Sequence, residues 1–510
     1  MPARWFVLPV TFVAGMSSLA IEFGASRLLA PYFGDSLYVW GVLIGLILIY
    51  LSIGYWLGGR VADRWPRTDL YFQLVAWAGF WIGLIPLVSY PILLAALRGF
   101  ADVSAGLVLS TLLAVVLLFA FPTIILGFAS PFAIRLLLRD VESGGVTAGR
   151  IYALSTGGSI VGTFLPVFVT IPTWGTRATL VGTGILLLVV AGVAQFPRRW
   201  YVAILLLVVI VGAILIPHEI KPPVAGRLLY ETESAYNYIQ VVQVGNQTEL
   251  ILNEGQAIHS IYDPDSVLTG GYWDYLLLGS AFRPAQQTEV RPKRVLILGL
   301  AGGTAVRQLD AAYGDGVHID GVDEDPAIIG AGRRYFHMDE PNLSVQVQDA
   351  RYWLATQKPS DRYDEIVMDV YRQPYIPFQM TTKEFFELVR QHLAPGGSVI
   401  VNAGRTASDY RLVAALASTM RVVYDDVYLS DVPNWTNTLI YGTTAPTSLA
   451  DVRHNLALAK EPLVQQVGAT LLGDGNLRRS PYHGQVFTDD VAPVERIIDS
   501  IIFNFATGSG

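Results

Sequence analysis

Asp323 stands 20 residues beyond Gly303, the last residue of the turn Gly299-Leu-Ala-Gly-Gly303, and both follow apolar runs, VLILGL before the turn and HIDGVDED around the acid. A glycine-rich turn that ends one strand and opens a helix lets backbone amides approach a ligand closely, and an acid ending the next strand can accept both hydroxyls of a ribose. The chemistry these residues suit is therefore the binding of a nucleoside. Two more carboxylates follow apolar stretches in the same manner, Asp349 after VQVQ and Asp369 after YDEIVM. In a doubly wound sheet the carboxyl ends of the strands form the ligand crevice, so Asp323, Asp349 and Asp369 are expected to converge there. For any one of them alone, a helix cap is the competing expectation.

The elements that must position them alternate in type. Strand, glycine turn, a helix through Arg307 to Ala312 and a second strand make a βαβ unit, and 345–350, 363–370, a helix from Thr381 to His392 and 398–404 continue it. This predicts an α/β Rossmann-like, methyltransferase-type domain over 286–510. Ahead of it, 236–244 and 248–252 flank Gly245-Asn246 as a β-hairpin, part of a small strand subdomain over 217–285.

Residues 1–216 have another character. Of the 510 residues 52% are hydrophobic and only 15% charged, yet the charges divide unevenly. Residues 1–216 hold 12 Lys+Arg and 7 Asp+Glu, whereas 217–510 hold 23 and 35, together with all seven histidines. The first part is expected to be a multi-pass helical membrane domain in contact with the lipid bilayer, the second an acidic, water-facing domain that disfavours nucleic acid. With no cysteine, disulfides, thiolate catalysis and Cys-ligated zinc are excluded, and no metal site is expected.

About seven spans of roughly 20 apolar residues can be drawn, over 6–30, 37–59, 70–94, 105–132, 151–170, 180–196 and 201–216. The apolar run at the N-terminus is too long for a signal-peptide core and reads as a retained helix. Arginines gather in alternate connections (Arg60, Arg64, Arg67; Arg135, Arg139, Arg150; Arg198, Arg199), a pattern that places those loops in the cytoplasm. Within the first span Glu22 and Arg27 are expected to pair, and Asp63 to pair with Arg60 or Arg64.

LNEGQ (252–256), Tyr272-Trp273-Asp274, GLAGGTAVR (299–307), VDED (322–325), Asp349-Ala350, YDEIVMD (363–369) and TDDVAPVE (488–495) together resemble the polyamine aminopropyltransferases, the spermidine synthases. The whole chain is similar to bacterial membrane proteins in which such a domain follows a helical region. The resemblance implies transfer of an aminopropyl group from decarboxylated S-adenosylmethionine, a co-substrate, to a small-molecule amine, with no prosthetic group, by a homodimer in the bacterial inner (cell) membrane. It assigns Asp369 as proton acceptor and Tyr272 as the residue orienting the amine. Gln256, Gly299, Ala301, Gly303, Asp323, Asp349 and Ala350 would hold the nucleoside, and Asp274 would lie with the substrate.

Two departures bear on the acceptor. Gly302 replaces an acid of the soluble enzymes' turn, and Arg372 stands where a second acid would follow the catalytic one. A guanidinium facing the amine would repel putrescine, unless Asp489 or Asp490 supplies the missing charge. An arginine would instead welcome the carboxylate of S-adenosylmethionine itself, so a methyltransferase is one alternative; a transporter or sensor with a nucleoside-binding domain is another. Synthesis of such a sulfonium in the cytoplasm argues for a cytoplasmic catalytic domain, whereas the arginine pattern carried through seven spans argues for the opposite side.

Overall fold

The computed structural model describes the chain apart from residues 1–3, 35–36, 100–105, 139, 141, 196–199, 216–219, 254–256, 359, 361, 372–374, 474–475 and 508–510. It divides into two compact units: Met1–Pro222 with Glu233–Tyr238, and Pro223–Thr232 with Ile239–Gly510.

The first unit contains helices α1 (Val7–Phe33), α2 (Leu37–Arg64), α3 (Thr68–Gly99), α4 (Gly106–Gly127), α5 (Ala129–Leu137), α6 (Gly144–Leu165), α7 (Ile171–Gln195) and α8 (Tyr201–Leu215). Among the described residues five helical runs are long and apolar enough to cross a bilayer: 4–33, 39–64, 68–96, 109–137 and 144–195. The sequence suggests seven separate spans. The difference lies at the end of the unit, where 151–170 and 180–196 fall within one run of 52 residues and Tyr201–Leu215 is a shorter apolar helix. A straight helix of that length would extend about 78 Å, well beyond a hydrocarbon core of about 30 Å. Gly175, at φ 83°, breaks it, so that α6 packs on α1 while α7 packs on α3.

Close packing sets the helix directions. A Cβ at Gly158 or Gly162 would overlap the backbone oxygens of Phe12 and Met16, so α6 runs beside α1 in the same direction at near backbone contact. Thr11 Oγ1 and Tyr71 OH hydrogen-bond at 2.9 Å, which brings the start of α1 to the start of α3. At the other end of α1, Tyr32 OH donates to the Ile220 carbonyl and Lys221 Nζ donates to that of Pro31 at 2.8 Å. Arg27, expected to pair with Glu22, donates to the Ser234 carbonyl. Asp63 pairs with Arg135 at 3.0 Å rather than with its neighbours in sequence, while Arg60 and Arg64 lie over the rings of Trp56 and Trp65. A pairing between helices replaces the local one because α2 and α5 pack together.

The second unit begins with a four-stranded sheet, β1 (Arg227–Glu233), β2 (Tyr238–Val244), β3 (Gln247–Leu252) and β4 (Ile258–Tyr262), in that order. The two stretches expected to form a hairpin are β2 and β3, paired antiparallel within this larger sheet. A short helix α9 (Tyr272–Tyr275) follows. Then come β5 (Arg294–Leu298), α10 (Thr304–Tyr313), β6 (His318–Asp323), α11 (Pro326–Tyr335), β7 (Leu343–Val347), α12 (Ala350–Thr356), β8 (Tyr363–Met368), α13 (Lys383–His392), β9 (Leu393–Gly404), α14 (Arg411–Met420), β10 (Asp426–Asp431), β11 (Asn437–Thr443), α15 (Leu449–Ala457), α16 (Pro462–Gly473) and β12 (Arg478–Arg479).

The eight strands lie in the order β12-β10-β11-β9-β8-β5-β6-β7. Strands β7, β6, β5, β8 and β9 are parallel, and β11, β10 and β12 extend the sheet antiparallel. Val295 to Leu298 of β5 are buried, as an unbroken apolar run demands of a strand covered on both faces. From β5 the chain proceeds outward through β6 and β7, then returns to β8 on the other side. The crevice where strand order reverses therefore lies between β5 and β8.

Candidate active site

Gly299 leaves β5 at φ 86°, and a Cβ there would overlap the carbonyl of Asp369, so only glycine lets the turn pass so close to the end of β8. Ala301 follows at φ 49°, unusual for a side-chain-bearing residue, and its N–H donates to Asp323 Oδ2 at 3.0 Å. Asp323 Oδ1 accepts from Asp325 N–H at 3.0 Å. The Gly302 N–H donates to Ser260 Oγ at 2.8 Å, which ties the turn to the four-stranded sheet. Burial pushes the Asp323 carboxyl up to about 6, against the lowering effect of those two amides.

Asp369 lies across the switch point. Tyr272 OH donates to its Oδ2 at 2.9 Å, and Asn402 Nδ2 donates to its Oδ1 at 2.9 Å. Asn402 Oδ1 in turn accepts from Asn437 Nδ2 at 2.9 Å. Burial raises the carboxyl to about 6, opposed by the hydrogen bonds from Asn402 and Tyr272. Near neutral pH such a group is largely ionised yet basic enough to take a proton, as a general base should be. Tyr272, buried and facing this carboxylate, is held well above the ordinary phenol range and remains a donor.

Along the crest the order is Asp323 (β6), the glycine turn (β5), Asp369 (β8), Asn402 (β9) and Asn437 (β11). Asp349, at the end of β7, caps α12 by accepting from Tyr352 N–H at 2.8 Å and is exposed. Ala350 is the first residue of that helix, and Gly303 precedes α10 at φ 91°.

Of the other residues read from the sequence as substrate contacts, Asp274 and Asp489 are hydrogen-bonded within the second unit. Asp274 accepts from Thr269 N–H and Oγ1, Gly270 N–H and Gln308 Nε2, fastening the loop before α9 to α10. Asp489 takes a bidentate grip from Arg351 at 2.8 and 2.6 Å and a bond from Thr382 at 2.7 Å; the Arg351 guanidinium holds its carboxyl below the usual range. Asp490 is exposed in the turn between Thr488 and Val491. Gln256 and Arg372 lie outside the described residues.

Sequence reasoning missed Asn402, Asn437 and Trp435. A polar residue inside SVIVNAG was the available signal for Asn402, since a buried amide in an apolar strand must be hydrogen-bonded.

A parallel sheet with a glycine turn and two buried carboxylates, Asp323 and Asp369, beside its switch point defines a Rossmann-type α/β domain, here preceded by a helical region in which, among the described residues, five runs are long and apolar enough to cross a bilayer. Residues 284–452 match the spermine/spermidine synthase domain, and the chain is homologous to polyamine aminopropyltransferases. It is 38% identical over 214 residues to a probable polyamine aminopropyl transferase of Bifidobacterium longum, covering 41% of this chain and 46% of that protein. To the polyamine aminopropyltransferase of Mycobacterium tuberculosis it is 28% identical over 327 residues, covering 58% and 60%. The chain thus spans about half the length of the curated relatives it matches. Spermidine synthase from Thermotoga maritima aligns with a TM-score of 0.39 at 17% identity, over 48% of this chain and 84% of that structure.

Proposed function

We propose that this chain transfers the aminopropyl group of decarboxylated S-adenosylmethionine to an amine, releasing methylthioadenosine, as part of a protein inserted in a membrane by its helical unit. The observation that carries the reading is Asp369, held by Tyr272 and Asn402 beside a turn and an acid suited to a nucleoside.

The chemistry asks little covalent work of the protein. A sulfonium is a good leaving group, so catalysis consists in aligning donor and amine and in freeing the amine's lone pair. Asp323 would take the ribose hydroxyls while the glycine turn admits the nucleoside to the strand ends. Asp369 would accept the ammonium proton; the amine nitrogen then forms a bond to the propyl carbon as the carbon–sulfur bond breaks, its electron pair going to sulfur. Tyr272, a donor to Asp369, would keep the carboxylate turned toward the amine.

The test is incubation of the detergent-purified full chain with an amine panel and either decarboxylated or ordinary S-adenosylmethionine. Methylthioadenosine from the decarboxylated donor, lost in Asp369→Asn, is the expected result. S-adenosylhomocysteine in its place would make this a methyltransferase.

A further inference from the structure

Glu365 lies on β8, inside the parallel sheet, paired with Val295 of β5 and Ser398 of β9. It is 0% exposed, and among the described residues neither carboxyl oxygen makes a hydrogen bond of ordinary geometry. Successive side chains of a strand alternate, so Glu365, Val367 and Asp369 share one face of β8, with the two acids about 13 Å apart along it.

What covers Glu365 is the segment that presents Tyr272. A Cβ on Gly279 would fall on the Glu365 carboxyl, so the 3₁₀ helix Leu276–Ala281, which continues α9, lays its backbone directly against the acid. At the other end of this segment Tyr272 donates to Asp369 Oδ2, its ring stacked on Trp273 and met edge-on by Trp435. The segment is pinned from several sides. Tyr441 OH donates to the Tyr275 carbonyl at 3.3 Å and Tyr313 OH to that of Leu277 at 3.1 Å. Ser398 Oγ donates to the Gly279 carbonyl at 2.7 Å, and Asn455 Nδ2 to those of Ala281 and Arg283 at 3.0 and 2.9 Å.

The charged and titratable groups that face Glu365 are Arg283 just beyond this segment, Asp364 on β8, Tyr313 on α10 and Tyr441 on β11. Burial holds both phenols above the ordinary range, so they stay neutral; Glu461 and Arg291 act on Tyr313. Arg283 has its Nε and one Nη buried without a hydrogen bond. Burial pushes the Glu365 carboxyl up to about 8, against the lowering effect of the Ser280 N–H and of Arg283. At neutral pH the acid is mostly uncharged, as an apolar interior requires. Once ionised it needs water or the Arg283 guanidinium beside it, and admitting either displaces a backbone that lies in contact with the acid.

Resting on the aminopropyl-transfer reading, we infer that Glu365 is a positioning residue: as a neutral acid it lets 272–281 pack on β8 with Tyr272 on Asp369, and loss of its proton releases that segment and withdraws Tyr272 from the base. Activity is then bounded on the alkaline side by Glu365, a group that touches neither donor nor amine.

The experiment measures kcat from methylthioadenosine release by the full chain, with decarboxylated S-adenosylmethionine and the fastest acceptor of the amine panel, between pH 7 and 9.5. Relative to Glu365→Gln, whose amide cannot ionise, the unaltered protein should fall about tenfold from pH 7 to 9. Ionisation of the amine and of Asp369 is common to both proteins and cancels in the ratio. Arg283→Gln removes a cation that favours the charged acid, so it should move the alkaline limb upward by about one unit. Thermal unfolding reads the same group without turnover. Between pH 6 and 8 the folded chain keeps a Glu365 proton that the unfolded chain, with its ordinary value of 4.5, has released, so Tm should fall as pH rises and fall less steeply in Glu365→Gln. A less steep fall with an unchanged alkaline limb would overturn the link between Glu365 and Tyr272; no difference in either would overturn the assignment altogether. Absence of methylthioadenosine with every amine would overturn aminopropyl transfer. Hydrogen exchange of the 272–281 amides, faster above pH 8 in the unaltered protein than in Glu365→Gln, would still report release of the segment, and equal exchange would refute it.

Discussion

Asn402 Nδ2 donates to Asp369 Oδ1 at 2.9 Å from the neighbouring strand, so the carboxylate at the end of β8 is aimed by an amide on β9. Asn437 on β11 holds the amide in turn. Three strands thus fix the orientation of one side chain, and the alignment does not depend on substrate being present.

That relationship predicts a pH effect. A hydrogen bond to a charged carboxylate contributes about 1.5–3 kcal/mol, so Asn402→Ala should move the acid limb of the pH–rate profile upward by about one to two units. The limb should start near pH 6 in the unaltered protein. Activity at pH 7 should fall about two- to tenfold and recover by about pH 9. Asn437→Ala should shift the limb in the same direction by less. A loss of rate equal at every pH would show that Asn402 serves packing alone.

Stability should respond to the same group with opposite sign. The folded Asp369 carboxyl titrates about 6, above its ordinary value of 3.8, so between those limits the folded state retains a proton that the unfolded state has released. Stability therefore falls as pH rises through this window, by up to about 3 kcal/mol for this group. Asp323 adds a similar slope. Denaturant unfolding of Asp369→Asn, followed by tryptophan fluorescence, should show a shallower decline from pH 4 to 6.

Asp323 is preorganised by Ala301 and Asp325 before any ligand arrives. Its replacement by Ala should act on binding: the Kd for methylthioadenosine, measured by calorimetry, should rise roughly ten- to a hundredfold, the equivalent of one charge-assisted hydrogen bond or two weaker ones. At saturating donor, kcat should change far less. Equal losses in both would place Asp323 in the chemical step.

The helical unit has a geometric consequence for topology. Thr11–Tyr71 lies at one end of α1, beside the arginine-bearing connection 60–67, and Tyr32–Ile220 lies at the other, where the chain moves on to the second unit. Because the chain has no cysteine, single cysteines can be introduced without background. Glu142→Cys and Val224→Cys, both at exposed positions, should react with a membrane-impermeant maleimide from opposite sides of the membrane. Labelling from the same side would mean that Tyr201–Leu215 does not cross.

The sequence by itself determined the local pattern: strand, glycine turn, helix, strand, acid. Apolar runs of strand length and a turn that admits positive φ are properties of neighbouring residues, and they placed Gly299, Asp323 and Asp369 at strand ends before any fold was known. Asp349 was assigned to the nucleoside, with a helix cap as the competing expectation, and it caps α12 through the Tyr352 N–H. Tertiary structure alone decided what surrounds Asp369. Tyr272 on α9 and Asn402 on β9 meet at this carboxylate, and Asn437 on β11 holds Asn402, three stretches that only the tertiary fold brings together. It also decided the partners of Asp274 and Asp489, which are Gln308 and Arg351, 34 and 138 residues away. In the helical unit hydropathy marked the apolar stretches, but the pairing of Asp63 with Arg135 followed from helix packing. Periodicity reports which face of an element is apolar; which polar groups meet across elements depends on contacts that no local pattern encodes.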